Sequence, residues 1–343
     1  MKREILEYLI CPACLPEENP LSLGNCESSG GDILEGALHC GRCGQAYPIR
    51  RGVACLKDAG AGRRAQGGQN SIVQQTASVY ESSELLSAYL WSHYADLFED
   101  PEANAAYPEW AALISPSSGA ALDAGCAVGR LCFEMSLKCD FAVGVDLSEN
   151  FIYTARRIME ERKLSFRLKE EGCIHSERSF ILPDKWDSKK VEFLVADAGA
   201  LPFRSESFAC VASLNLIDKI SCPLEHLREA DRSARAGKAQ MLISDPFSWS
   251  RETCIPLRWL GGAPGGRFAG FGIDNLEELL SGKGAVLPQS PSFLLMEKGG
   301  GGEESAGVGS IWKIAGKGSV WWKIRNHRNH FELIRSLFIK AER

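Results

Sequence analysis

The stretch ALDAGCAVG, residues 121–129, is followed one helix later by AVGVD, residues 142–146. Both open as apolar runs of strand length; the first ends on Asp123 and turns on small residues, the second ends on Asp146. A strand that ends in an acid, turns into a helix and is answered by an acid on the next strand is the nucleotide-binding unit of an open parallel sheet. The small residues let backbone approach a ligand, and Asp146 accepts from both hydroxyls of a ribose. Glycine spacing then separates the cofactors. A dinucleotide fingerprint places glycines at positions 125, 127 and 130, where the chain has Gly125, Ala127 and Arg130. The pattern acid-x-Gly-x-Gly-x-Gly is met at Asp123, Gly125 and Gly129, with Ala127 replacing only the middle glycine. S-adenosylmethionine (SAM) fits this turn better than NAD. A pyrophosphate needs a dense nest of N–H groups, whereas a methionine tail wants a carboxylate such as Asp123 beside its ammonium. The predicted cofactor site is Asp123, Gly125, Cys126, Gly129, Asp146 and Leu147.

Working outward, strands and helices alternate. A helix from about Asn150 to Arg162, capped by Ser148, follows the second acid. Three more apolar runs, VEFLVAD, FACVASLNLI and AQMLISD, end in polar residues whose places line one crevice of an α/β Rossmann-like sheet. Asp197 and Ala198 after the first of these are placed near the adenine, and Asn215 after the second near the sulfonium. Asn215 also suits a plain strand-end hydrogen bonder. An insertion at 164–190 reads as a lid or an edge hairpin. The glycine-rich stretches after Trp259 read as loops, and the last segment as the closing antiparallel strand. Upstream, ELLSAYLWSHYADLF sets Leu85, Tyr89, His93 and Leu97 at helix-face spacing.

The 343 residues, 45% apolar with a net charge of −5, suit a soluble α/β domain plus a small satellite. That charge argues against a chain built chiefly to cover phosphate backbones, although Lys313 to Arg343 carries eight Lys or Arg against two Glu. No apolar run reaches the roughly 18 residues of a membrane span, and the start lacks signal-peptide form, so a cytoplasmic protein is expected. The thirteen cysteines are therefore not read as a disulfide framework. Four are organised: CPAC holds Cys11 and Cys14, CGRC holds Cys40 and Cys43. Two such knuckles present four thiolates to one tetrahedral zinc with no open position, so the metal is structural. The expected organisation is a zinc ribbon at 1–57, with AYPIRRGVACL its last strand, a Gly- and Ala-rich linker at 58–77, and a methyltransferase domain at 78–343. The linker separates the two units, so chelation is expected to loosen the ribbon and leave SAM binding largely intact.

On the acceptor side the candidates are Tyr89, His93 and Tyr94, then Trp249 and Trp259, then Arg325, His327, Arg328 and His330. The run RNHRNHF is either a solvated face or a grip on a carboxylate or thiolate. His175 and His226 are read as structural.

With these residues assembled, the first unit resembles the small zinc-ribbon activator subunit of tRNA and release-factor methyltransferases, through CPAC and LHCGRCGQAYPIRRGV. Everything from VYESSELLSAYLWSHY onward is similar to the methyltransferase of ovothiol biosynthesis, through YLWSHY, ALDAGCAVGRLCFEMS, GVDLSENFI, FRLKEEG, DSKKVEFLVADAGALP, SDPFSWSRETCIPLRWLGG and IRNHRNHFELI. That resemblance implies that Asp123, Gly125, Gly129, Asp146 and Asp197 hold SAM. It also implies that Tyr89, His93, Tyr94, Trp259, Arg325 and His327 face a small thiol-imidazole substrate of the 4-mercaptohistidine type, methylated on nitrogen. The sequence departs from the family after WLGG and in carrying a ribbon, which leaves room for another small thiol or imidazole compound. Two alternatives stand beside it: an rRNA or tRNA base methyltransferase that uses the ribbon for RNA contact, and a SAM-fold binding module that docks a protein partner through the ribbon.

Overall fold

A computed structural model describes residues 1–57, 81–283 and 308–343. The stretch expected to be a linker, and the second glycine-rich stretch up to residue 307, lie outside the described residues.

The first unit is small and mostly strands: β1 (Leu21–Leu23), β2 (Glu27–Ser29), β3 (Asp32–Cys40), β4 (Ala46–Arg50) and β5 (Val53–Ala54). β1, β3, β4 and β5 pair in that order, with β2 on β3. AYPIRRGVACL is thus two strands rather than one. Arg51 and Gly52, at φ 47° and 74°, form a two-residue turn of positive φ that folds β5 back on β4.

The second unit opens with α1 (Ser83–Tyr94), capped by the Ser82 hydroxyl, which accepts from Leu85 N, and α2 (Ala106–Leu113). It continues through β6 (Ala120–Ala124), α3 (Arg130–Met135), β7 (Phe141–Asp146), α4 (Glu149–Glu161), β8 (Lys163–Glu171), β9 (Ile174–Ile181) and β10 (Val191–Val195). Then follow β11 (Phe208–Leu214), α5 (Pro223–Ser233), β12 (Gln240–Asp245), α6 (Gly272–Ser281), β13 (Lys313–His327) and β14 (His330–Glu342). The sheet order is β10-β7-β6-β11-β12-β14-β13, parallel through β12 and antiparallel beyond. The strand order reverses between β6 and β11, so the crevice at their carboxyl ends is where such a sheet takes a ligand. β6, β10 and β11 are buried along their whole length, as their unbroken apolar runs require of strands covered on both faces. The insertion is the hairpin β8–β9, a separate two-stranded sheet.

The closing segment is two strands, not one. β13 and β14 pair along nearly their full length, and Arg328 and Asn329, in the middle of RNHRNH, form the turn between them. The two histidine-bearing repeats face each other across that turn, with His327 opposite His330.

The ribbon is not a detached satellite. Met1, Ile5, Leu9, Tyr47, Ile49 and Leu56 share one buried cluster with Leu194, Phe203, Phe208 and Val211 of the second unit. Leu9 bridges Phe203, and Cys55 bridges Val195 in parallel beside the free edge of β10. A unit of this size lacks a sufficient core of its own, and here it completes one with the sheet's face. Among the described residues no helix is long and apolar enough to cross a membrane.

Candidate active site

The turn after β6 is built by the residues that marked it in the sequence. Gly125 N and Cys126 N both donate to Val145 O, at 2.8 and 3.0 Å, which ties the loop to the end of β7. Gly125 has φ +80°, and a Cβ there would stand 2.9 Å from Leu216 Cδ1; Gly129 has φ +82°, and a Cβ there would meet Phe193 at 2.5 Å. Both must be glycine. Ala127, in the place of the missing middle glycine, also has positive φ, 46°, and pays for it with a hydrogen bond from its N–H to Asp146 Oδ2 at 3.0 Å. A left-handed alanine costs about 1–2 kcal/mol, against about 0.5–1 for the extra freedom of glycine when unfolded. Ala127→Gly is therefore expected to raise stability by about 0.5–1 kcal/mol, read as a shift in denaturant midpoint.

A cavity of about 700 Å³ opens beside this loop, over the carboxyl ends of the strands. Of the predicted cofactor residues, Gly125, Asp146 and Leu147 line it from one side, and Asp197, Ala198 and Asn215 from the other. Asp123, Cys126 and Gly129 do not reach it. Asp123 is 3% exposed behind the loop, with Cys132 Sγ 3.7 Å from its Oδ2, and burial pushes its carboxyl up to about 7. Cys126 is a packed core thiol, and Gly129 caps α3 against Phe193.

Asp146 accepts from Ala127 N and, through Oδ1, from Ser148 N at 2.9 Å. Burial raises its carboxyl to about 6, opposed by those backbone N–H groups. Asp197 accepts from Gly199 N at 2.8 Å. His226, structural as expected, lies between Ser213 Oγ (2.8 Å) and the Ala198 carbonyl (3.0 Å), and so braces the Asp197–Ala198 turn from behind. Asn215, at φ 53°, keeps a buried Oδ1 with no protein partner, an unused acceptor beside the cavity. The close-approach glycine, the aspartate on the wall and this spare acceptor fit an adenosine-bearing cofactor.

The acceptor-side candidates divide. Tyr89 lines the cavity, 4.9 Å from the Phe151 ring and edge-on to Trp322 at 5.9 Å. His93 is 2% exposed and reaches the wall through Tyr107, whose hydroxyl lies 2.6 Å from Nε2. Burial, then the Arg130 guanidinium, holds the His93 imidazole well below the usual histidine range. The other seven, Trp249, Arg328 and His330 among them, lie off the cavity wall. Tyr94 faces the core, donates to Val128 O at 2.7 Å and stacks on Phe180. Trp259 stacks on Trp249 and donates to Cys254 O. Arg325 is bound to Glu170 at 2.6 Å, joining β13 to the β8–β9 hairpin, and His327 ends β13 beside the turn, accepting from Asn329 N. The arginine–histidine run joins strands; it does not form a pocket wall.

Sequence reasoning missed Tyr107, Phe151, Trp322 and Lys57 on this wall. Phe151 carried a signal, one helical turn after Asp146. Lys57 carried none, because it comes from the ribbon, where it pairs with Glu149 at 3.0 Å at the start of α4.

In the ribbon the four thiols converge. The sulfurs of Cys11, Cys14, Cys40 and Cys43 lie within 4.8 Å of one another, with 3.6 Å between Cys11 and Cys43 and 3.7 Å between Cys14 and Cys40. A zinc with bonds of about 2.3 Å to four thiolates spaces them by about 3.8 Å, so the donor set fits one structural zinc. Tyr47 Oη, 3.2 Å from Cys11 Sγ, supports the cluster from outside.

Comparison with known proteins accords with both units. Residues 2–52 match the model of the Trm112p-like protein family, and residues 122–240 match that of a methyltransferase domain. No curated protein matches the chain. Among solved structures, it is similar to a chain in the complex of the Haloferax volcanii Trm112 methyltransferase activator, at 15% identity and TM-score 0.32 over 53% of this chain and 62% of that one. It is similar to Haemonchus contortus phosphoethanolamine N-methyltransferase 2 at 19% identity and TM-score 0.36, over 52% and 36%. It is also similar to the YcgJ protein of Bacillus subtilis at 12% identity and TM-score 0.39, over 69% and 96%. The chain thus spans less than two thirds of the length of the first two. Two family models thus match parts of the chain, a Trm112p-like protein over residues 2–52 and a methyltransferase domain over residues 122–240, and the sheet order and the loop after β6 accord with the second.

Proposed function

We propose that the chain methylates a ring nitrogen of a small thiol-imidazole compound of the 4-mercaptohistidine type. When bound, SAM supplies a methyl group carried on a positively charged sulfur. Asp146 would accept from the ribose hydroxyls, the Asp197–Ala198 turn would meet the adenine, and the backbone at Gly125 and the Asn215 amide would meet the rest. The protein's remaining work is alignment and the exclusion of water.

The observation that carries the choice of acceptor is the aromatic wall of Tyr89, Tyr107, Phe151 and Trp322. Flat π faces suit a planar heteroaromatic ring, and a volume inside the roughly 300–1,000 Å³ range of small-molecule sites suits a cofactor with a compact second ligand. The Trm112p-like domain favours a second reading, RNA base methylation with the ribbon as contact. Against it, the two lysines that line the wall among the described residues are already paired, Lys57 with Glu149 and Lys219 with Asp218, leaving no spare cation for a phosphate among those residues. Methyl-labelled SAM offered with 4-mercaptohistidine or with total RNA is expected to label the former. Label in RNA alone would overturn the reading.

A further inference from the structure

A nucleophile that enters methyl transfer with an N–H or S–H must shed that proton when the methyl takes its place, and the cavity has few groups able to receive it. Asp146 already accepts backbone N–H groups at both oxygens, Asp197 accepts one, Glu81 accepts from Glu149 N and Asn150 N, Glu149 is paired with Lys57, and Lys219 is paired with Asp218. Tyr107 is different. Its hydroxyl, on the cavity wall, lies 2.6 Å from Nε2 of the buried His93. That separation is shorter than the usual 2.7–3.2 Å or so of an N–H donor and within the roughly 2.5–3.0 Å range of an O–H donor, so the tyrosine donates and Nε2 carries a bare lone pair. The imidazole hydrogen then sits on Nδ1, which is buried with no partner.

We propose that Tyr107 and His93 form a proton relay for the acceptor. The acceptor's N–H or S–H proton passes to Tyr107 Oη as the tyrosine's own proton passes to His93 Nε2. The acceptor exchanges a proton for a methyl group, and the positive charge that arrived with the methyl leaves on the imidazole. Tyr107 is the catalytic residue; His93 acts through it. The charged imidazole is short-lived. Around it stand the rings of Tyr89, Tyr94 and Tyr107 and the guanidinium of Arg130, which donates to the His93 carbonyl at 2.8 Å. Arg130 in turn holds Asp96 at 2.7 Å, and the Asp123 carboxyl near Tyr107 is raised by burial to about 7. Burial, then the Arg130 guanidinium, disfavours the charged imidazole, so the proton is released again and the base is restored.

The proposal rests on methyl transfer in this cavity, not on the identity of the acceptor. Tyr107→Phe is expected to lower kcat for 4-mercaptohistidine by about 10²–10⁴-fold while leaving SAM affinity, by calorimetry, within about twofold. His93→Gln keeps an acceptor for the tyrosine hydroxyl but no base, and is expected to lose as much; the double variant loses no more than either single one. Both variants should show a rate that climbs with pH where the parent is flat, since hydroxide then replaces the relay. Unchanged kcat in Tyr107→Phe, or additive losses, would overturn the relay. Independently of any substrate, ¹⁵N-histidine NMR of the full chain should show His93 neutral with its proton on Nδ1 from pH 6 to 8, and a proton on Nε2 would overturn the proposal. If 4-mercaptohistidine takes no methyl, the acceptor assignment falls and the NMR result alone decides the relay.

Discussion

Stripping the metal from the four-cysteine cluster is expected to abolish SAM binding together with the ribbon's fold. The ribbon's last residues run along the edge of the catalytic sheet: Leu56 N donates to Val195 O at 2.7 Å, two residues before Asp197, and Lys57 then stands on the cavity wall. A second tie is a buried ion network. Arg156 of α4, 2% exposed, binds Asp32 of the ribbon at 2.8 Å and Glu192 of β10, fully buried, at 2.7 Å. The guanidinium also fills the space where a Cβ on Gly52 would lie, at 2.5 Å from Nε, so ribbon and helix fit atom to atom. Removing one member of such a buried network costs about 3–5 kcal/mol. Zinc supplies about 10–16 kcal/mol to small thiolate domains, comparable to the whole stability of a typical protein. Chelation, or Cys40→Ser, should therefore give one cooperative unfolding transition at lower temperature and a loss of SAM affinity of at least about 100-fold, or about 2.7 kcal/mol. Calorimetric titration of the metal-free full chain checks this; undiminished affinity would mean that the ribbon is only a passenger. The outcome expected from sequence was the reverse, because a Gly- and Ala-rich stretch between two units implies independence and nothing in the ribbon's own residues announces the face they cover.

Asp146→Ala is the second large effect. A carboxylate accepting two ribose hydroxyls loses about 1.5–3 kcal/mol for each, so SAM affinity should fall by about 10²–10⁴-fold. Ala127 N and Ser148 N lose their acceptor in the same variant, which loosens the loop as well as the ligand. The pH dependence gives an internal control. The Asp146 carboxyl is raised to about 6, so its ionised form, which accepts at both oxygens, is depleted as pH falls through 6. Affinity of the parent should decline by up to about tenfold per pH unit below that point. Asp123 titrates near 7 and is present in both proteins. A step near 6 that survives in Asp146→Ala would assign it elsewhere.

Much of the cofactor half was legible because it rests on local rules. Gly125 must be glycine for its φ and for Leu216, Ser148 must cap α4 for the chain to turn after Asp146, and strands buried on both faces must read as apolar runs. Such constraints act within a few residues and leave a pattern. Asp123 shows the limit: its place in the motif was clear, but whether its carboxyl meets a ligand or the core depends on the depth of the loop.

The acceptor half was less legible. Tyr89, Tyr107 and Trp322 come from α1, α2 and β13, more than 200 residues apart at the extremes, and only sheet closure brings them together. The arginine–histidine run looked like a pocket by composition, yet β13 and β14 pair so fully that it becomes the end of their hairpin, with Arg325 taken by Glu170. The sequence alone determined a nucleotide turn with SAM spacing, a four-thiolate metal cluster and the strands that carry them, since each follows from backbone sterics or ligand count over a short span. Only the tertiary structure decided that the ribbon contributes Lys57 to the cavity's wall and that His93 is buried behind Tyr107. Those outcomes depend on which distant surfaces exclude water from one another, and no local pattern encodes that.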